Sequence, residues 1–194
     1  MDTVRRGFPY CGAAPCNGCI ATMPLTCIRD PELTPALREE LLRLWVDVTR
    51  AGGSVGFVPP VTADEVRPVA DALTGDVAGG RARMLGVYDE GRLAGTTFFR
   101  LNANPLMHHW CTLVTVMIHP SLQGGGRGRQ MLGEAVEMAR DLGFEALRLE
   151  ARGGMGLENF YAGCGFKEVG RVPAGIRVAA GDDRDDITMW RPLD

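Results

Sequence analysis

The chain has 194 residues, of which 45% are hydrophobic and 23% charged, with a net charge of −3. Such a length and composition suit one soluble domain with a sizeable core, and the slight acidity gives no case for nucleic acid or an anionic membrane as partner. No apolar run approaches a membrane span, and Met1-Asp-Thr-Val-Arg-Arg leads into Gly, Pro and Cys rather than a signal-peptide core, so the expected location is cytoplasmic.

Residues 1–23 form an extension rich in Gly, Pro and Cys, and residues 24–194 read as a single domain. Cys11, Cys16 and Cys19 match the first three positions of plant-type iron–sulfur spacing, with Cys27 closer than the fourth ligand usually lies. Zinc would suit the same thiolates, and incidental thiols on a mobile extension are the alternative. The expectation adopted is no metal. Cys111 and Cys164 read as core-filling thiols rather than nucleophiles.

Leu25–Ile28 suggests an edge-like strand. Thr34 and Pro35 open a helix, as cap and first residue, whose stripe Leu37, Leu41, Leu44, Trp45 and Val48 runs to about Arg50. Gly52-Gly53 ends it, and Ser54–Pro60 is an apolar loop too rich in Gly and Pro for a regular element. Thr62 and Glu65 form a capping box for a second helix, with Val66, Val69, Ala70 and Leu73 on its apolar face. Strands follow at Ala82–Tyr88 and Leu93–Leu101 around the turn Asp89–Arg92, then one from Trp110. A helix over Arg127–Leu142 precedes a strand at Ala146–Ala151 and a short helix from about Leu157 to Cys164. Phe166–Val169 and Ile187–Trp190 are expected as the last strands, with Gly181–Asp186 a charged turn between them. Antiparallel strands followed by a β-α-β unit make an α+β fold with a mixed sheet, with neither internal repeat nor second domain.

One stretch organises the chain. Leu113–Ile118 is a β-branched strand ended by Pro120, and Gln123-Gly-Gly-Gly-Arg-Gly128 turns it into an amphipathic helix. Glycines let several N–H groups point at one spot ahead of a helix, which makes an anion nest suited to phosphate. The turn is neither a Walker A loop nor Gly-x-Gly-x-x-Gly.

Gln123-x-x-Gly126-x-Gly128, after Val116-x-Ile118-x-Pro120, resembles the acetyl-CoA signature of the GNAT superfamily of acyltransferases. About 35 residues on, Glu158–Phe166 is similar to that family's Tyr-x-x-x-Gly-Phe element. The resemblance implies a mostly antiparallel central sheet with a splayed central strand, flanked by helices, and acetyl-CoA as co-substrate. It assigns the pyrophosphate to amides around Gln123, Gly124, Gly125, Gly126, Gly128 and Arg129, with charge added by Arg127 and Arg129. It lays the pantetheine along Val116, Met117 and Ile118, with an N–H freed by a bulge, assigned to Val116, for the acetyl oxygen. Tyr161 becomes the acid for the leaving thiolate, and Asn159 a contact for the pantetheine arm. The family often has an asparagine seven residues before the tyrosine, where this chain has Gly154. The loop with Ser54-Val-Gly-Phe57 is similar to that of tabtoxin-resistance acetyltransferases, where it borders the acceptor; a buried connector is the other reading.

Acetyl transfer to an amine also needs a base. Glu150, at the strand end beside the splay, is the candidate. His119 has a suitable titration range but reads as a turn residue before Pro120, and His108 and His109 sit at the far strand end. Asp182, Asp183, Asp185 and Asp186 could attract a cationic amine, though a charge run in a loop is usually solvated. The expected function is acetyl transfer to a small amine, amino-acid-like compound, antibiotic or toxin, by direct attack in a ternary complex. The alternatives are a CoA-binding regulatory module and a protein N-acetyltransferase; homodimerisation is expected from the resemblance alone.

Overall fold

The computed structural model describes residues 25–193, so Cys11, Cys16 and Cys19 lie outside the described residues. Its centre is a 7-stranded sheet in the order β1-β2-β3-β4-β5-β7-β6. The strands are β1 (Thr26–Arg29), β2 (Ala82–Asp89), β3 (Arg92–Leu101), β4 (Trp110–Ile118), β5 (Ala146–Arg152), β6 (Lys167–Ala179) and β7 (Asp182–Pro192). Only β4 and β5 pair in parallel, joined by a helical crossover as parallel neighbours must be. The mixed, mostly antiparallel sheet expected from the sequence is therefore present.

Helices α1 (Pro35–Arg50) and α2 (Ala63–Ala78) cover one face, and α3 (Arg127–Asp141) and α4 (Leu157–Ala162) the other. Thr34 Oγ1 accepts from the Leu37 N–H to start α1. Thr62 and Glu65 complete the capping box of α2, which satisfies two otherwise orphan donors. On the first face Leu41, Leu44, Trp45, Val66 and Leu73 pack onto Met84, Phe98 and Met117. On the second, Met131, Leu132, Ala135 and Val136 pack onto Leu113, Leu147 and Leu149. Among the described residues no helix is long and apolar enough to cross a membrane.

Three expectations change. Val69, placed on the apolar stripe of the second helix, is 45% exposed, because α2 overhangs a cavity there rather than the sheet. The last strands are much longer than expected, and β6 and β7 form one hairpin whose tight turn holds Gly181. The charged turn Gly181–Asp186 is in fact mostly strand: Asp183 pairs with Arg177 at 2.7 Å, Asp185 with Arg171 at 2.8 Å, and Asp182 with Arg184. Cross-strand arginines facing Asp183 and Asp185, and Arg184 two residues along the same strand from Asp182, let an aspartate run sit in a ladder that its β-propensity alone would disfavour.

Candidate active site

The sheet opens at its middle. β4 and β5 pair only over Trp110, Cys111 and Thr112, and beyond Thr112 the two strands part. On the other side of β4 the register with β3 jumps from Phe98↔Val114 to Thr96↔Met117, so Thr115 and Val116 together stand against Thr97. Thr115 takes φ +54, a left-handed value rare for a β-branched residue, and the Thr97 hydroxyl is buried behind the bulge without a hydrogen-bond partner among the described residues. The His119 N–H donates to the Ala94 carbonyl at 2.7 Å. By the alternation of an antiparallel ladder, Met117 then directs its backbone groups at β3, while Val116 and Ile118 direct theirs into the opening. Gln123 Nε2 reaches back to the free Ile118 carbonyl at 3.2 Å, tying the glycine turn to the strand end.

That turn is built from backbone that L side chains resist. Gly124, Gly125 and Gly126 have φ of +89, +57 and +80, and Gly126 caps α3 without any side chain. Among the described residues, the loop and cap hydrogen bonds use the N–H groups of Gln123, Arg127 and Gln130, leaving those of Gly124, Gly125, Gly126, Gly128 and Arg129 available. Gly128 is small for a second reason: a Cβ there would come 3.2 Å from the Phe160 ring of α4. The Arg129 guanidinium donates to the Gly163 carbonyl and so braces α3 against α4. Arg127 Nη1 is buried with no partner among the described residues.

Two cavities meet at the opening. One, of about 450 Å³, is lined by Val116, Met117, Ile118, Gln123, the glycine turn and Phe160. The other, of about 350 Å³, lies under α1, α2 and the loop after α1, with Trp45, Val55, Leu73, Arg100 and Glu150 in its wall. Tyr161 borders both. Its ring is held edge-on by Phe160 and Phe166, at centroid separations of 5.3 and 5.9 Å. Burial, reinforced by neighbouring Cys164, pushes its phenol up to about 12. The hydroxyl has no hydrogen-bond partner among the described residues, so a fully protonated donor faces the junction.

Glu150 lines the second cavity and pairs with Arg148 at 2.6 Å. Beside it the structure brings Asp186, whose Oδ1 is buried with no partner among the described residues. Burial, and then the Glu150 charge, raise the Asp186 carboxyl above its ordinary range. Trp45 fixes the cavity roof: its Nε1 donates to the Val55 carbonyl at 2.7 Å, and Phe57 packs edge-on against its ring. The loop after α1 thus serves as both wall and connector. Sequence reasoning missed Trp45 and Arg100 as site residues and named Asp186 only among four aspartates that could attract a cationic amine; Trp45 read only as core, and Arg100 had one signal, a lone cation near the end of an apolar strand.

Other candidates stay apart. Asn159 is exposed on α4, outside both cavity linings. His119 accepts from the Ser121 N–H and sits 3.8 Å from Asp47, away from the junction, and neither His108 nor His109 lines either cavity. Cys164 and Cys111 are buried thiols with raised pKa, Cys111 to about 12, and line neither cavity. Among the described residues no three ligating side chains cluster as a metal site.

Comparison with known proteins agrees with this geometry. Residues 39–166 match the acetyltransferase (GNAT) family. A solved structure assigned as a phosphinothricin N-acetyltransferase superposes with a TM-score of 0.73 at 20% identity, covering 88% of this chain and 99% of that one. Ribosomal-protein-alanine N-acetyltransferase from Brucella melitensis gives 0.68 at 21% identity, covering 86% and 99%. An acetyltransferase-like protein from Salmonella typhimurium, solved with its cofactor acetyl-CoA, gives 0.68 at 17%, covering 88% and 94%. At these identities the likeness speaks for the fold, and the family match for the chemistry: the chain belongs to the GNAT acetyltransferase family and is an acetyl-transferring enzyme.

Proposed function

We propose that this enzyme moves the acetyl group of acetyl-CoA to the amine of a small molecule, by direct attack with donor and acceptor bound together. The observation that carries the reading is the meeting of two cavities at Tyr161 and Val116, one walled by the glycine turn and the other by α1, α2 and Glu150.

The residues fit the donor. Available N–H groups of Gly124, Gly125, Gly126, Gly128 and Arg129, at the positive end of α3, form a cradle for a pyrophosphate, and beside them Arg127 has a buried guanidinium nitrogen without a partner among the described residues. Val116 and Ile118 offer backbone groups along the opening to the amides of a pantetheine arm, with Met117 between them. When bound, acetyl-CoA supplies an activated thioester. Asn159, by its exposure, is left to the rim of that arm.

Each remaining need of the reaction has a residue. The Val116 N–H, freed by the bulge, donates to the acetyl oxygen as charge develops there, the kind of contact worth a few kcal/mol when pre-organised. Glu150 takes the proton of the attacking amine, directly or through water. Tyr161, protonated throughout the neutral range, gives its proton to the departing sulfur. Among the described residues no thiol lines either cavity, which favours direct attack over an acyl-enzyme. The enclosed roof of Trp45, Val55 and Leu73 favours a small acceptor over a protein terminus.

The test is thiol release from acetyl-CoA across amino acids, polyamines, aminoglycosides and short peptides. A small amine far above the peptides supports the reading; a peptide N-terminus far above the small amines overturns it, and silence with CoA bound points to a regulatory module.

A further inference from the structure

The acceptor cavity holds a charge that the reaction as described does not use. Among the described residues, three charged side chains line it: Asp76, Arg100 and Glu150. Asp76 is paired with Arg81 at 2.8 Å and Glu150 with Arg148 at 2.6 Å. The Arg100 guanidinium has no hydrogen bond or ion pair among the described residues. It is the last residue but one of β3, and the seven residues before it are all buried. An exposed cation at the end of that strand stabilises nothing visible in the fold.

Its position is defined by the sheet. Arg100 stands opposite Thr112, and Thr112 opposite Arg148, so this row crosses the sheet at the last pairing before the splay. Val116, at the junction, lies four residues further along β4, roughly 13 Å away at about 3.3 Å per residue. Glu150 lies between, two residues beyond Arg148 on β5. Along the cavity the order is therefore guanidinium, carboxylate, then the junction with Tyr161. The long Arg100 side chain shortens the gap, so a molecule with its amine at the junction would bring groups a few bonds away within reach of the guanidinium. A planar fork of N–H donors matches a carboxylate or other oxyanion, and Trp45, Val55, Val69 and Leu73 supply an apolar wall for the carbons between.

We propose that Arg100 is the specificity residue of this site and that the acceptor is a small zwitterion, carrying a primary amine and an oxyanion several bonds apart. This rests on the acetyl-transfer reading above and narrows its substrate class. Simple alkylamines and polyamines lack the anion and are poor acceptors. Diamines also leave the guanidinium facing a second cation.

The experiment compares glutamate and γ-aminobutyrate with glutamine, γ-aminobutyramide and propylamine, which lack the distal carboxylate, for the intact protein and for Arg100→Gln and Arg100→Lys. For the wild type, the acid-bearing compounds should show kcat/KM at least 10-fold above the counterparts. Arg100→Gln should raise the acceptor KM roughly 10- to 100-fold, leave the acetyl-CoA KM unchanged and remove the preference, with Arg100→Lys recovering part of it. Equal use of amidated and acidic compounds, or an Arg100→Gln variant with the wild-type preference, overturns the proposal while acetyl transfer stands. Should no compound be turned over, the acetyl-transfer reading fails separately. Calorimetry of the CoA-loaded protein with glutamate then decides for Arg100: binding lost in Arg100→Gln supports its role, and binding kept, or absent from the wild type, overturns it.

Discussion

Tyr161 of α4 and Val116 of β4 are the two residues common to the walls of both cavities. One offers a phenol and the other a backbone N–H at the same junction, the two donors that the proposed reaction calls for. That relationship exists because β4 leaves β5 after Thr112 and because three aromatic rings hold α4 against the gap.

Tyr161→Phe should lower kcat by about 10- to 1,000-fold while changing the CoA dissociation constant less than threefold, since the ring packing survives and only the donor is lost. Single-turnover kinetics with calorimetry separates the two effects. Equal activity would reduce the tyrosine to packing.

The pH dependence has a definite sign. An ordinary tyrosine begins to lose its proton near pH 10, whereas burial holds Tyr161 up to about 12. The acid form needed for thiolate protonation therefore persists as pH rises through 10, and kcat should show no alkaline fall there from this group. A fall with a midpoint below 10 that disappears in Tyr161→Phe would contradict the assignment.

Gly126→Glu should abolish CoA binding in calorimetry. Space is not the obstacle, since a Cβ at Gly126 would meet nothing within 4 Å. The residue would instead have to hold φ +80, at a cost of about 1–2 kcal/mol, and would put a negative charge into the anion nest. Unchanged affinity would remove the phosphate site from the turn.

Glu150→Gln should lower kcat/KM about 100-fold for the amine. The acetyl-CoA KM should stay as it is, because Glu150 does not border the donor cavity. Full activity would pass the role of base to Asp186, the partly buried carboxyl beside it.

Trp45→Phe keeps the apolar wall but strips the Val55 carbonyl of a buried donor, at a cost of about 1–3 kcal/mol. The roof loop should loosen, raising the acceptor KM more than the acetyl-CoA KM. Thermal unfolding and a two-substrate kinetic matrix measure both.

Much of this was legible from residue order. The capping box Thr62–Glu65, the Thr34-Pro35 helix start and the glycine turn follow from local rules, because their physics is complete within four to six residues. The Gln123–Gly128 and Tyr161–Phe166 patterns carried the family for the same reason. The long β6–β7 hairpin was hidden because its charged residues read as solvated, and only cross-strand arginines make them fit a ladder.

The sequence by itself determined the fold family and the glycine turn before α3, since local motifs carry the first and the backbone freedom of adjacent glycines the second. Only the tertiary structure showed that Trp45 and Arg100 join Glu150 and the loop after α1 around the second cavity. Trp45, Arg100, Glu150 and Asp186 come from α1, β3, β5 and β7, far apart along the chain, and no local periodicity marks residues that become neighbours only when the sheet splays and two helices roof the gap.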